Sequence, residues 1–397
     1  MNRIGKGGCM SAVTSDLLEQ VDQLLSRPNQ VWLMGAGISK DAGLPLMGRL
    51  TTRVLQESAG TPYEQVLKDL LEELPENAHI EHVLSQLGDY TSLADRGRTK
   101  EVAIKGNTYD IPTLENAHNQ IALSIANVIR WGDKEEGNGE WTAGTRDNPV
   151  VSIDHHLRFV RALFGRRQAG LSERRKPLHV FTTNYDTLIE DALSLAHLTY
   201  WDGFSGGAIA FRTHRYGKLA PDNGYRAVVV KLHGSIDWFL SEDGTVLRVR
   251  DSDAYPPNRG RVLIYPQATK YVATQRDPFA SQFSLFRQAL STGENVLAIC
   301  GYSFGDDHVN QEIELALSSA ENKTTLVAFC LQGGGLPAII QSWLASDWGK
   351  RVYILTERGL YADKQGPLFP AKDGDSRSWW TFDGMTAFLE SGKEGIE

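Results

Sequence analysis

Five short apolar runs limit this chain more than any of its other features. They are "LHVFTTN" (178–184), "AVVVKLHG" (227–234), "RVLIYP" (261–266), "NVLAICGYS" (295–303) and "TTLVAFC" (324–330). A sixth run, "QVWLM" (30–34), lies far upstream. Several are apolar almost throughout, the pattern of strands covered on both faces. Segments with helical spacing separate some of them: "YDTLIEDALSLA", "FSLFRQALS" and "HVNQEIELALSSA". Strand and helix in turn predict an α/β fold, a Rossmann-like parallel sheet with helices on both faces.

The 397 residues suffice for two or three domains. Residues 14–28 read as an amphipathic helix with Leu17, Leu18, Val21, Leu24 and Leu25 on one face, ended by Pro28 and Asn29. From Gly48 to about Arg175 the texture turns helical in "YEQVLKDLLEEL", "HIEHVLSQLGDY" and "NAHNQIALSIANVIRW", while "EVAIKGNTYDIPTL" reads as a hairpin or a loop. The division expected is an N-terminal helix (1–28), a sheet domain (29–47 and 176–357), a mostly helical insertion (48–175) and a polar C-terminal tail (358–397). In the tail, "SRSWWTFDGMTAFLES" would dock by its aromatics, with Trp379 and Trp380 as packing or oligomer contacts.

Bulk properties exclude several classes. Forty-one basic against 49 acidic residues give a net charge of −8, which argues against direct nucleic-acid binding by the whole surface. The one basic stretch, "FGRRQAGLSERRKP" (164–177), reads as a solvated loop. No apolar run reaches the ~18 residues that span a bilayer, and the first twenty residues hold no apolar core of signal-peptide length. The expectation is a cytoplasmic protein with no membrane contact. Its three cysteines include no C-x-x-C pair, so no cysteine-built zinc site is expected. Cys300 and Cys330 sit in apolar runs and read as core. The histidines of "HIEH" (79–82) and Asp154-His155-His156 read as helix surface in preference to metal ligands. No G-x-x-x-x-G-K-[ST] loop occurs, so ATP hydrolysis by this chain is not expected.

The polar residues cluster where the apolar runs end. "VWLM" runs into Gly35-Ala36-Gly37-Ile38-Ser39, and "LHVF" into Thr182-Thr183-Asn184-Tyr185-Asp186. "AVVVKL" runs into His233-Gly234-Ser235, and "NVLAIC" into Gly301-Tyr302-Ser303-Phe304-Gly305-Asp306-Asp307-His308. Ligands of open α/β sheets bind outside the carboxyl ends of the strands. Four segments would thus bring polar groups to one rim. A glycine loop there lets backbone N–H groups approach a phosphate, with Gly35 and Gly37 small enough and Ser39 adding a hydroxyl. Each segment has a plainer reading too. The glycines suit a packed turn, Asn184 or Asp186 suits a helix cap, His233 suits a hydrogen-bonded strand end, and "GYSFGDDH" suits a turn with a cap.

Taken together, G-A-G-x-S with G-[IL]-P downstream (Gly43, Pro45), T-x-N-x-D and K-L-H-G-S resemble the sirtuin superfamily in order and spacing. "GAGISKDAGLP", "TTNYD", "KLHGS" and "GYSFGDDHVN" are similar to its bacterial sirtuin-like branch, which includes NAD+-consuming proteins of antiphage defence. Chain length and the helical insertion resemble the sirtuin-like subunit that pairs with a HerA-type ATPase. The resemblance implies NAD+ as substrate and a homo-oligomer, with a HerA-type ATPase as partner. By it, Gly35, Ala36, Gly37 and Ser39 hold the NAD+ phosphates and adjoining ribose, with Gly43, Pro45, Thr183 and Gly234 beside them. Asn184 places water or the nicotinamide ribose, Asp186 binds the carboxamide, and His233 is the general base. Gly301, Tyr302 and Ser303 line the adenosine half. Two departures weigh against an acyl-lysine substrate. The four-cysteine zinc ribbon of deacetylating members cannot be built here, and their G-I-P-x-F-R element reads "GLPLMGRL", leaving the role of Arg49 open. The leading expectation is an NAD+ glycohydrolase (an NADase). A binding module for NAD+ or ADP-ribose, a deacylase or ADP-ribosyltransferase, and an assembly scaffold are the rivals.

Overall fold

A computed structural model describes residues 17–166, 176–241, 243–250, 261–263, 277–291, 294–371 and 375–392. Cys9 and most of the basic stretch 164–177 lie outside the described residues. Nine strands form the central sheet: β1 (Gln30–Met34), β2 (Leu178–Thr182), β3 (Tyr200–Trp201), β4 (Ala227–Lys231), β5 (Val296–Cys300), β6 (Thr325–Phe329), β7 (Val352–Thr356), β8 (Gly359–Ala362) and β9 (Gln365–Leu368). Their order is β9-β8-β7-β6-β5-β1-β2-β4-β3. Every pairing from β3 to β7 is parallel, and β7-β8-β9 close the far edge as antiparallel neighbours.

The apolar strands behave as their composition demands. Each is buried on both faces, and alternate residues feed different cores. Trp32, Met34, Val180, Val229 and Ala298 point into one, with Phe159, Leu163, Ile189, Phe382 and Phe388 from the helices on that side. Val31, Leu33, Phe181, Val230 and Ile299 point into the other, with Phe286, Ile313 and Trp343. A large side chain removed from water this way contributes about 1.5–3 kcal/mol, so a slip of one residue in register would exchange both cores at heavy cost.

The chain runs from β1 to β2 and β4 on one side, then returns to β5 and β6 on the other. β1 therefore stands at a topological switch point, where open sheets form a ligand crevice. Register keeps the strand ends level: Met34 lies beside both Thr182 and Cys300, and Lys231 lies beside Thr182.

Several expectations need correction. "RVLIYP" does not join the parallel sheet. Arg261–Leu263 pairs with Gly234–Leu240 in a separate five-stranded antiparallel sheet, and 264–266 lie outside the described residues. The polar tail is not a tail, because residues 359–368 form the edge hairpin β8–β9 and Phe382–Ser391 is a helix in the core. β7, "VYILT" between charged neighbours, adds a parallel strand beyond the apolar runs named above. The insertion is mostly helical, through Met47–Ser58, Glu64–Glu73, Ile80–Arg96 and Ile111–Trp131, and "EVAIKGNTYD" is a hairpin. Its boundary at 175 falls too late: helix Asp154–Gly165 buries Phe159, Val160 and Leu163 against the sheet. The insertion's own core takes in Tyr185, Leu188 and Ile236, which ties it to the end of β2.

Candidate active site

A cavity of about 890 Å³ opens at the carboxyl ends of β1, β2, β4 and β5. Gly35, Ala36, Gly37, Ser39, Pro45, Thr183, Asn184, Asp186, His233, Gly301, Tyr302 and Ser303 all line it. Two expected residues do not. Gly43 (φ +88°) turns the chain toward the insertion, its carbonyl accepting from the Asp133 N–H at 3.0 Å. Gly234 (φ +85°) lets the chain leave β4 for the second sheet. Such left-handed turns favour glycine.

The glycine loop after β1 is filled by backbone, not open to it. A Cβ on Gly35 would stand 2.5 Å from the Gly301 oxygen and the Tyr302 Cα, and one on Gly37 would stand 2.8 Å from the Gly301 Cα. The Gly35 N–H donates to the Cys300 carbonyl at 3.0 Å and the Gly37 N–H to the Gly301 carbonyl at 2.8 Å. Those two N–H groups are thus committed within the protein. The glycines allow two rim loops to touch, and their first partner is Gly301 (φ +67°).

Ser39 is buried at the centre of the polar cluster. Its hydroxyl donates to Asp186 Oδ2 at 2.9 Å, and Asn184 Nδ2 donates to Ser39 Oγ at 3.2 Å. Asp186 also accepts the Leu188 N–H at 3.1 Å, so the plainer helix-start reading holds alongside the site reading. Asn184 Oδ1 is buried without a hydrogen-bond partner. Buried polar atoms are nearly always paired, so this one needs an explanation.

The turn carrying Asn184 and Asp186 is held from below. The Thr183 N–H donates to the Met34 carbonyl at 3.1 Å and the Asn184 N–H to Thr182 Oγ1 at 3.0 Å. Lys231, the buried lysine of "KLHGS", donates to the carbonyls of Asp186 and of Tyr185, the latter at 3.3 Å. Glu190 lies 3.4 Å from that ammonium. Burial pushes the Glu190 carboxyl up to about 7, with the Lys231 charge opposing. Tyr185 reaches the insertion through its hydroxyl, which donates to Glu81 at 2.8 Å.

His233 pairs with Asp306 at 2.8 Å, Nε2 to Oδ2. Asp306 occupies the N-cap position of helix Asp307–Ser318 yet makes no capping hydrogen bond; its carboxylate turns to the imidazole instead. The contact brings the imidazole and the carboxylate to ion-pair distance at the cavity wall. The turn is fixed by Tyr302, whose hydroxyl donates to the Asp306 carbonyl at 3.0 Å, and by Asn310 Nδ2, which donates to the Phe304 carbonyl at 2.8 Å. Phe304 keeps a left-handed φ of +60° under the ring of Trp343.

The cavity wall also takes in residues beyond those the sequence motifs single out. Asp306 lies in the "GYSFGDDH" stretch, three residues past Ser303. His79, Glu81 and His82 line the cavity from the insertion, with His82 Nδ1 accepting the His79 N–H at 3.2 Å. The signal for these was weak, a helix start in a distant segment. Trp380 and Phe382 add a wall from the C-terminal region. Arg49 is elsewhere, paired with buried Asp133 at 2.5 Å and stacked on Trp141. Among the described residues no group of three His, Cys, Asp or Glu side chains is placed to hold a metal. No described helix is long and apolar enough to cross a membrane.

His156 lies fully buried beneath Ser39, its Nε2 3.4 Å from Oγ. Burial pulls its pKa from 6.5 down to about 4, the Asp186 charge opposing and His155 reinforcing. Between those values the unfolded chain binds a proton that the folded chain refuses. His156 therefore costs the fold stability as pH falls from about 6.5 through about 4, and costs none above. The loss is on the order of 3 kcal/mol. His156→Phe should flatten that acid limb of a thermal midpoint against pH profile, and an unchanged limb would contradict the assignment.

Residues 178–353 match the sequence family described as SIR2-like domain. The matched segment starts at β2, so β1 and its glycine loop join it only in the folded sheet. No curated protein matches the chain.

Proposed function

From a SIR2-like domain whose rim residues meet in one cavity, we propose that this protein hydrolyses the N-glycosidic bond of NAD+, giving nicotinamide and ADP-ribose. The SIR2-like match supports NAD+-related activity in general. The observation that carries the hydrolytic reading is the unpartnered Asn184 Oδ1, aligned by Ser39 beside Asp186 in the cavity that also holds the His233–Asp306 pair. A carbonyl oxygen without a protein partner is suited to accept a hydrogen bond from water. The volume falls within the range of small-molecule sites, about 300–1,000 Å³.

Each group has a task in that reaction. Water attacks C1′ of the nicotinamide ribose while the C1′–N bond breaks, its electron pair neutralising the pyridinium nitrogen. Asn184 orients the water at attack distance. The ribose gains positive charge on the way, and Asp186 stabilises it through space. Asp186 also offers its carboxylate to the carboxamide. His233, beside Asp306, takes the proton that water gives up. Ala36 and the Gly301–Ser303 turn contact the remainder of the dinucleotide.

Incubating the pure protein with NAD+ tests the reading, with nicotinamide and ADP-ribose measured together. Asp306→Asn should lower kcat about 10²-fold by loosening the base, with the protein still folded. Tight NAD+ binding without product selects a sensor module, and label retained on protein selects ADP-ribosyl transfer. An open NAD+ hydrolase would drain its host, so the activity is held in check, in keeping with abortive infection as antiphage defence. The insertion wall at His79, Glu81 and His82 is where assembly, with further copies or a HerA-type ATPase, would control entry. Equal turnover by isolated and assembled protein removes that control step.

A further inference from the structure

We propose that His156 is a positioning residue of this site: its Nε2–H fixes the Ser39 hydroxyl, and through it the rotation of the Asn184 amide. The inference rests on the hydrolytic reading above. It follows from counting protons at one oxygen. Ser39 Oγ lies 2.9 Å from Asp186 Oδ2, 3.2 Å from Asn184 Nδ2 and 3.4 Å from His156 Nε2. A carboxylate can only accept, so the single hydroxyl proton goes to Asp186. An amide nitrogen can only donate, so it occupies one lone pair of Oγ. The third contact must also donate, which places the imidazole proton on Nε2.

The remaining ring nitrogen agrees with this tautomer. His156 Nδ1 is buried with no hydrogen-bond partner, and the ring lies 5.1 Å from that of Phe382. A proton on Nδ1 would be a donor stranded beside an apolar wall, and buried unmatched donors are costly. With Oγ saturated, the Asn184 amide is held by its nitrogen and its oxygen is the atom left without a protein partner. Loss of the His156 donor frees the hydroxyl to turn, and the amide can then rotate to offer N–H where water needs an acceptor. His156 lies upstream of the matched segment 178–353, so this prop belongs to the chain outside the SIR2-like stretch.

The test uses the full chain. His156→Phe keeps the ring and removes the donor, and His156→Gln restores an N–H near the Nε2 position. In His156→Phe, kcat should fall about 10- to 100-fold, with KM for NAD+ changed by less than about threefold, and His156→Gln should recover most of the loss. Nitrogen-15 spectra of the imidazoles should give a neutral Nε2–H ring for His156, whose resonance moves in Ser39→Ala. A kcat for His156→Phe within twofold of wild type, a His156→Gln variant no better than His156→Phe, or an Nδ1–H tautomer each overturns the proposal. Should the wild type leave NAD+ intact, the reaction falls, while the tautomer and its response to Ser39→Ala still decide whether His156 holds the serine.

Discussion

Asn184→Ala should lose at least about 10³-fold in NAD+ turnover while its thermal midpoint stays level or rises. The two halves of that result have separate causes. Turnover falls because Asn184 is the group that presents an acceptor to water beside the breaking bond, and geometry of that kind contributes several kcal/mol to a barrier. Stability holds because the wild-type residue is not at ease. Asn184 Oδ1 is buried with no partner, and such an atom costs about 1–3 kcal/mol. Removing it relieves that cost and gives up one 3.2 Å hydrogen bond to Ser39 in exchange. Groups kept at a cost to the fold mark places selected for function. Asn184→Asp is a sharper probe. It keeps the shape but brings a second carboxylate beside Asp186 and withdraws the N–H that Ser39 accepts, so it should be as inactive as alanine and less stable. Nicotinamide release and thermal melts on the three proteins decide the matter. A drop of about three degrees or more in the alanine variant would make Asn184 a structural residue, and full turnover would remove it from the reaction.

What the sequence disclosed follows from which interactions are local. Strands buried on both faces announce themselves by composition, so β1, β2, β4, β5 and β6 were legible, and with them the rim where Asn184, His233 and Gly301 meet. β7 is not legible because four apolar residues and a threonine between charged neighbours carry no such mark. The edge hairpin was missed because Gly366 and Pro367 are poor strand formers, tolerated only where no outer neighbour needs their hydrogen bonds. "RVLIYP" misled for the opposite reason, being apolar enough for a central strand while its pairing is antiparallel with Gly234–Leu240. In the site, residue identity was readable but partnership was not. Ser39 reads as a phosphate contact, yet its hydroxyl donates to Asp186, 147 positions on. His156 looked like a surface histidine, because nothing nearby in sequence tells that Phe382 will cover it. Asp306 looked like a helix cap until the imidazole across the sheet came within 2.8 Å. Pairings between segments so far apart in the chain leave no trace in spacing.

Gly35→Ala should disable the protein by a different route, through the backbone contact that joins β1 to β5. The added methyl would sit 2.5 Å from the Gly301 oxygen and 2.5 Å from the Tyr302 Cα. Both are main chain, so neither can rotate away. The loops must part, and the hydrogen bonds from Gly35 to Cys300 and from Gly37 to Gly301 part with them. Overpacking of this kind costs about 1–3 kcal/mol, a fall of roughly one to four degrees in thermal midpoint for a chain of this size. The chemical loss should be larger than the thermal one. Ser39 lies four residues beyond Gly35 and orients both Asn184 and Asp186, while Gly301 leads into the turn that aims Asp306 at His233. Separating the two loops thus disturbs the water-holding amide and the base together, and turnover should fall about 10²-fold or more. Gly48→Ala is the control. A Cβ there meets nothing within 4 Å, and the residue lies in helix Met47–Ser58, where alanine is the better helix former. That variant should be as active as wild type and no less stable. If Gly35→Ala matches it in both melt and turnover, the two loops do not need their close contact, and the joined rim is not what sets the geometry of the site.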